Sequence, residues 1–198
     1  MDLWRNSYRM VITGATGAIG KYLMKCFRAM AYDPRKGKCP ATAVLINCIG
    51  FNHDCFFRNA DEEWVRVIET NLIDVADVIK EVLPHMRKEH SGRIINLSSM
   101  LSEWAVPGTS AYTASKAGLN AMIRVIAKEE AKHNILINNI NLGYMDIGMT
   151  HKIPRIEEIT KQIPLGLGHP TEIVKTIKFL IHTNYITGST IDVNGGLW

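Results

Sequence analysis

An α/β fold built on a doubly wound parallel sheet is predicted by three features of the sequence. The apolar runs are continuous rather than alternating, the pattern of strands covered on both faces. They alternate along the chain with stretches of helical spacing. The first of them runs into the glycine-rich junction "GATGAIG" and then directly into a helical pattern.

The elements follow in order. "YRMVIT" (8–13) is β-rich and stops at Gly14, so it forms a buried strand. Residues 18–30 have helical spacing, and "YDPRKGKCP" (32–40) is turn chemistry. "ATAVLINCIG" (41–50) is a second apolar strand. Residues 61–88 form a long helix whose acidic start suits the positive end of the helix dipole, with Pro84 placed to kink its end. "GRIINLSS" (92–99) is a strand, 110–134 a second long helix, and "ILINNINL" (135–142) another strand. A helix over 170–182 and a short strand within 190–196 close the chain. The stretch 144–168, bearing Gly, Pro and Met, is weakly patterned and is expected to be a mobile surface insertion.

Length and composition narrow the class. The 198 residues fit a single domain over 1–198. The net charge of +4 comes from dispersed groups, and the short runs at 35–38 and 87–88 are no nucleic-acid track. The four cysteines, at 26, 39, 48 and 55, form no C-x-x-C pair, and no Cys/His cluster suggests a metal. No apolar run approaches the roughly 18 residues that span a bilayer, and "MDLWRNSYR" lacks the apolar core of a leader. The expectation is a cytoplasmic protein with reduced thiols, without nucleic-acid or membrane partners.

The glycines point to a ligand. Gly14 turns the chain out of the strand, Gly17 lets a pyrophosphate approach the backbone, and Gly20 lets the helix pack closely. The helix start offers unpaired N–H groups to phosphate. Further on, Tyr112 and Lys116 in "YTASK" stand four apart and so share a helix face. A nearby ammonium favours phenolate and is expected to lower the tyrosine pKa, suiting it to give a proton to a carbonyl oxygen. Ser99 ends a strand, where open parallel sheets place ligands. Asn71 lies mid-helix, a poor place for stability, where its amide could hold a water.

Together, "TGATGAIG", "NCIG" (47–50), "NLSS", "YTASK" and "ITGSTIDVNGG" resemble the short-chain dehydrogenase/reductase family, over residues 8–23 and 43–198. Within it, "DEEWVRVIETNL", "SGRIINLSS" and "SAYTASKAGL" look most like the 3-oxoacyl-acyl-carrier-protein reductases. The resemblance implies a Rossmann-like fold and reduction of a ketone, foremost a 3-oxoacyl thioester, by NADPH or secondarily NADH. It makes Tyr112 the proton donor, Ser99 the residue that orients the oxygen, Lys116 the ribose holder and Asn71 the support of a proton-relay water. It places Gly14, Thr16, Gly17, Ile19, Gly20, Asn47, Gly50 and Gly143, with Tyr112 and Lys116, at the cofactor. It also implies pairing into dimers or tetramers through 61–88 and 110–134, and a carrier docked near Arg87, Lys88, His90, Lys132 and His133. Trp104, Val106, Met145, Met149 and His53 fall on the substrate side. Two other activities stay open: NAD-dependent oxidation of a small alcohol, sugar or steroid, and a scaffold impaired in cofactor binding that serves a partner.

One departure is large. The family inserts two more strand–helix units before the "NCIG" strand, on the order of 45–50 residues at ~30 per βαβ unit. Only residues 21–42 are available here. The second and third units are therefore expected to be lacking, or to lie in an internal stretch that this sequence omits. A real loss would expose the edge of the first strand and weaken adenosine binding by roughly several kcal/mol. Asp33 and Arg35 then sit in a turn with no strand before it, and no ribose-binding residue is assigned. Smaller departures are Leu142 at the family's Pro, Ile147 at the nicotinamide-amide threonine with Thr150 nearby, and Cys48 and Ile49 within "NCIG".

Overall fold

The computed structural model describes residues 10–197; the stretch 1–9, with the first two residues of the expected opening strand, and Trp198 lie outside them. Among the described residues one sheet has the order β2-β1-β3-β4-β5-β6, with every neighbouring pair parallel. Its strands are β1 (Met10–Thr13), β2 (Met30–Tyr32), β3 (Val44–Asn47), β4 (Gly92–Ser99), β5 (Ile135–Leu142) and β6 (Thr190–Val193). The period of two along each strand divides the core. Met10, Ile12, Ile46, Ile95 and Ile140 face α1 (Ala18–Cys26) and α6 (Thr171–His182). Val11, Leu45, Ile94 and Ile137 face α3 (Asp74–Glu89) and α4 (Ser110–Glu130). This two-sided cover is why the strands read as continuous apolar runs.

The second strand corrects the sequence expectation. Neither complete strand–helix unit is present, yet the strand of the first survives as Met30–Tyr32, paired with Val11, Ile12 and Thr13. The helix expected to reach residue 30 stops at Cys26, and Phe27 turns extended. The edge of the sheet is therefore β2, not β1. Residues 33–43 then cross directly to β3 on the far side of β1. Tyr32 anchors this short crossover: its hydroxyl donates to Glu81 Oε2 at 2.6 Å and lies 2.8 Å from Gly37 O.

The long helix of 61–88 is also more elaborate than its sequence pattern. Asp61 caps α2 (Glu62–Ile68) by accepting from Glu63 N. Residues Glu69–Ile73 then form a π turn before α3, which continues past Pro84 to Glu89. Such π segments insert an extra residue and recur at functional sites; this one contains Asn71. The stretch 144–168 is tied at its start by Asp146 N donating to Gly168 O, and carries the short α5 (Ile156–Thr160).

A row of side-chain amides crosses the sheet. Thr13, Asn47, Asn96 and Asn139 stand in register on four strands. Thr13 Oγ1 donates to Asn47 at 3.0 Å, Asn47 to Asn96 at 2.7 Å, and Asn96 to Asn139 at 3.0 Å. The row continues through Asn120 of α4 and Asn141 to the carboxylate of Asp192. Each buried side chain of the row thereby has a hydrogen-bond partner within it.

Candidate active site

The carboxyl ends of β1, β3, β4 and β5 meet at one edge, where an open parallel sheet leaves a crevice. Two cavities lie there. One, of about 110 Å³, is lined among others by Ile19, Gly50, Ser99, Tyr112, Lys116 and Gly143. The other, of about 530 Å³, is lined by Gly14, Thr16, Tyr32, Asp33, Arg35 and Asp74 among others. Ile49 lines both, so the two adjoin across it.

Three side chains expected to act together share the smaller cavity. Ser99 ends β4; its hydroxyl accepts from Leu101 N and lies close enough to the Tyr112 phenol to draw its pKa down. Tyr112 comes from the first turn of α4, packed among Phe51, Trp64, Val67 and Leu101. Lys116, one turn on, is buried and donates to Leu97 O at 2.9 Å. Its ammonium stands 5.7 Å from the centre of the Tyr112 ring.

The protonation states differ from the sequence expectation. Burial pushes the Tyr112 phenol up to about 12, with the Ser99 hydroxyl pulling the other way. Lys116 does not lower it, because its ammonium is turned to the Leu97 carbonyl. The phenol is therefore held protonated at neutral pH, as a proton donor. Burial also brings Lys116 down to about 8, opposed by the neighbouring Cys48, and raises the Cys48 thiol to about 12.

Asn71 is fully buried and clamps the chain after β3: its amide donates to Phe51 O and Ser115 Oγ, and its carbonyl accepts from Phe51 N. A side chain on Gly50 would put its Cβ 3.3 Å from Lys116 Nζ and 3.4 Å from Asn71 Oδ1. The bare glycine thus leaves a small polar space between the two.

The glycine turn fits a bound phosphate at one position. Gly14 has φ +63°, and a Cβ there would lie 2.5 Å from Cys48 O. At Gly20 it would lie 2.2 Å from Gly14 O, so this glycine packs the helix onto the turn itself. At Gly17, ahead of α1, it would meet only Gly14 O, at 3.3 Å, and is otherwise open. Of the three glycines, Gly17 is the one whose backbone stays open to a ligand, while Gly14 and Thr16 beside it line the larger cavity. Gly20→Ala is expected to destabilise the fold by about 2 kcal/mol or more, since rigid backbone must move. Gly17→Ala, at φ −71°, is expected to keep the wild-type unfolding midpoint but to weaken nucleotide binding roughly tenfold. Chemical denaturation and calorimetric titration of the two variants check this pair.

Other candidates are placed differently. Asn47 is buried in the amide row and lines neither cavity; Gly143 is required by the Asn194 backbone, whose Cα a Cβ would approach to 2.7 Å. Ile147, Thr150, Met145 and Met149 all line the smaller cavity. Trp104 instead packs with Met100 and Ile163, Val106 is exposed, and His53 stands 3.8 Å from Asp61. Sequence reasoning passed over Cys48, Leu97 and Asp74 as wall residues, and left Asp33 and Arg35 unassigned. With β2 in place, Asp33 follows a strand, as a ribose-binding carboxylate would. The larger cavity lies beside it, on the side where adenosine binding was expected to be weakened.

A glycine turn at the first strand end and a Ser/Tyr/Lys group beyond it thus sit on one parallel sheet. A family model described as "Enoyl-(Acyl carrier protein) reductase" matches residues 31–198, and the chain belongs to the short-chain dehydrogenase/reductase family. It is 39% identical over 160 residues to the 3-oxoacyl-[acyl-carrier-protein] reductase of Thermotoga maritima, covering 78% of this chain and 65% of that protein. The Pseudomonas aeruginosa protein of the same name is 37% identical over 161 residues, with 78% and 65% covered. The chain thus spans a little under two thirds of the length of these relatives. A solved structure of 3-oxoacyl-[acyl-carrier protein] reductase from Brucella melitensis shares the fold, with a TM-score of 0.88 at 22% identity over 97% of this chain and 91% of that one.

Proposed function

We propose that the protein reduces a ketone to an alcohol with a nicotinamide dinucleotide, the foremost substrate being a 3-oxoacyl thioester. The observation that carries this reading is the meeting of Ser99, Tyr112 and Lys116 in one cavity, next to the cavity of the glycine turn. Bound NADPH or NADH supplies the hydride. The Ser99 and Tyr112 hydroxyls hold the carbonyl oxygen, and the phenol, protonated at neutral pH, passes its proton to that oxygen as negative charge develops. Lys116 holds ribose hydroxyls. The space at Gly50, bordered by Lys116 and Asn71, suits a water that returns a proton from solvent.

Two features support the proposed partners. Val65, Ile73 and Val125 leave apolar side chains exposed on the α2–α4 faces expected to pair, which suits a homodimer or homotetramer. The proposed carrier-docking corner is partly neutralised: Arg87 is bound by the buried carboxylate of Glu130 through two nitrogens, and the His90 and His133 rings stand 5.7 Å apart. Lys88 and Lys132 then remain the cations for an acidic carrier.

The test is a titration with NADPH and NADH, followed by assay on acetoacetyl and crotonyl thioesters. Consumption of reduced cofactor with the acetoacetyl but not the crotonyl compound is expected. Failure of both cofactors to bind at millimolar concentration would instead favour the partner-binding scaffold.

A further inference from the structure

The crossover from β2 to β3 brings together two residues distant in sequence. In relatives with full strand–helix units this connection is long; here it is residues 33–43, and its first turn, Pro34–Lys36, lies against the start of α3. Arg35 Nη2 stands 3.5 Å from Asp74 Oδ2, the first residue of that helix. Both line the large cavity beside the glycine turn. Both also line a neighbouring cavity of about 500 Å³ that runs along α3 past Asp77 to Glu81. The ion pair is thus a partition between the two.

We propose that Asp74 is a specificity-determining residue, holding Arg35 away from the 2′ position of the nucleotide and so disfavouring a 2′-phosphate. The inference rests on the nucleotide reading given above. A ribose lying beyond the glycine turn presents its 2′ oxygen to the end of the second strand, where this chain places Asp33 and Arg35. A guanidinium is the group best suited to grip a phosphate there, through paired N–H donors. Arg35 can do so only by leaving Asp74. Asp74 then remains as an unpaired negative charge in the wall of the same cavity, so release and repulsion both act against the phosphate. A 2′-hydroxyl demands neither, and Asp33 can accept from it. Asp33 is committed only locally: it accepts from Arg35 N at 3.1 Å and stands 3.9 Å from Lys36 Nζ. The Arg35 and Asp74 side chains are 65% and 30% exposed. Pairs so placed are weak, so Arg35 is biased rather than locked.

The experiment compares adenosine 2′,5′-bisphosphate with 5′-AMP, which differ by the 2′-phosphate alone, using calorimetric titration and no turnover. For Asp74→Asn, the ratio of the two affinities is expected to move about three- to tenfold toward the bisphosphate. Adding Arg35→Ala to that variant is expected to erase the gain. Asp77→Asn, which removes the same charge one turn along α3, is expected to keep the wild-type ratio. An unchanged ratio in Asp74→Asn, or an equal shift in Asp77→Asn, overturns the assignment while leaving the nucleotide site intact. Binding of neither compound to the wild type at millimolar concentration removes the nucleotide site and this proposal with it.

Discussion

Tyr112→Phe is expected to abolish carbonyl reduction, by at least about a hundredfold in kcat, with cofactor affinity within about twofold of wild type. The substitution removes one oxygen, from a ring whose packing against Phe51, Trp64, Val67 and Leu101 is unchanged. Losing one buried hydroxyl costs stability by about 1 kcal/mol at most, so the variant folds. Its effect therefore reads the proton transfer itself. The pH profile offers an independent check. With the phenol pushed up to about 12 in the free protein, reduction by wild type is not expected to fade near neutrality through loss of the Tyr112 proton. Single-turnover kinetics with the acetoacetyl thioester, alongside cofactor titration, tests both statements. Retained reduction by the phenylalanine variant would refute the proton-donor assignment.

Lys116→Met should lose activity on a comparable scale and yet gain stability. In the fold this ammonium is buried, with a carbonyl and no carboxylate as its hydrogen-bond partner. Burial lowers its pKa from 10.5 to about 8, a penalty on the charged form of about 3 kcal/mol at 1.36 kcal/mol per unit. Replacing the lysine relieves that penalty but leaves Leu97 O without its donor, which returns about 1–2 kcal/mol. A net gain of about 1–2 kcal/mol at neutral pH follows. The pH dependence has a definite sign. Below about pH 8 the lysine is charged in both folded and unfolded chains, and the whole penalty applies. Between about 8 and 10.5 the unfolded chain still binds the proton and the folded one does not, so wild-type stability rises with pH. The advantage of the methionine variant should therefore shrink across that window. Urea titrations of both proteins at pH values spanning it measure the difference; an advantage that grows with pH would contradict the buried-ammonium account. Loss of activity together with a gain in stability would mark Lys116 as a residue kept for function at the expense of stability.

The parts of this molecule that were legible in its sequence share a physical cause. β4 and β5 are eight-residue runs covered on both faces, so their bounds could be read directly from hydrophobicity. The Tyr112 and Lys116 pair was legible because helical geometry alone brings residues four apart onto one face. The second strand was not. Met30 and Ala31 are exposed on the sheet edge and only Tyr32 is buried, so three residues carry no periodic signal and continue the helical pattern before them. Missing that strand also hid the position of Asp33. Asp74 was hidden for another reason: its contact with Arg35 spans the crossover and is set by how the short connection lies on α3. The direction of the Tyr112 shift required burial and the orientation of the Lys116 ammonium, neither of which spacing reveals. Asn47 read as a cofactor contact from its motif, whereas its amide is committed to the row across the sheet.

That row has a consequence for how the strands find their neighbours. Apolar contacts tolerate small slips, because one isoleucine substitutes well for another. A carboxamide does not, since it offers a donor on one side and an acceptor on the other. From Thr13 to Asp192 the donors all point the same way. Displacing one strand by a residue, or turning one amide over, sets like against like in a dry interior, at about 1–3 kcal/mol for each stranded group. The asparagines thus act as a key cut to a single alignment, and it is this alignment that brings the ends of β1, β3 and β4 level beneath the crevice.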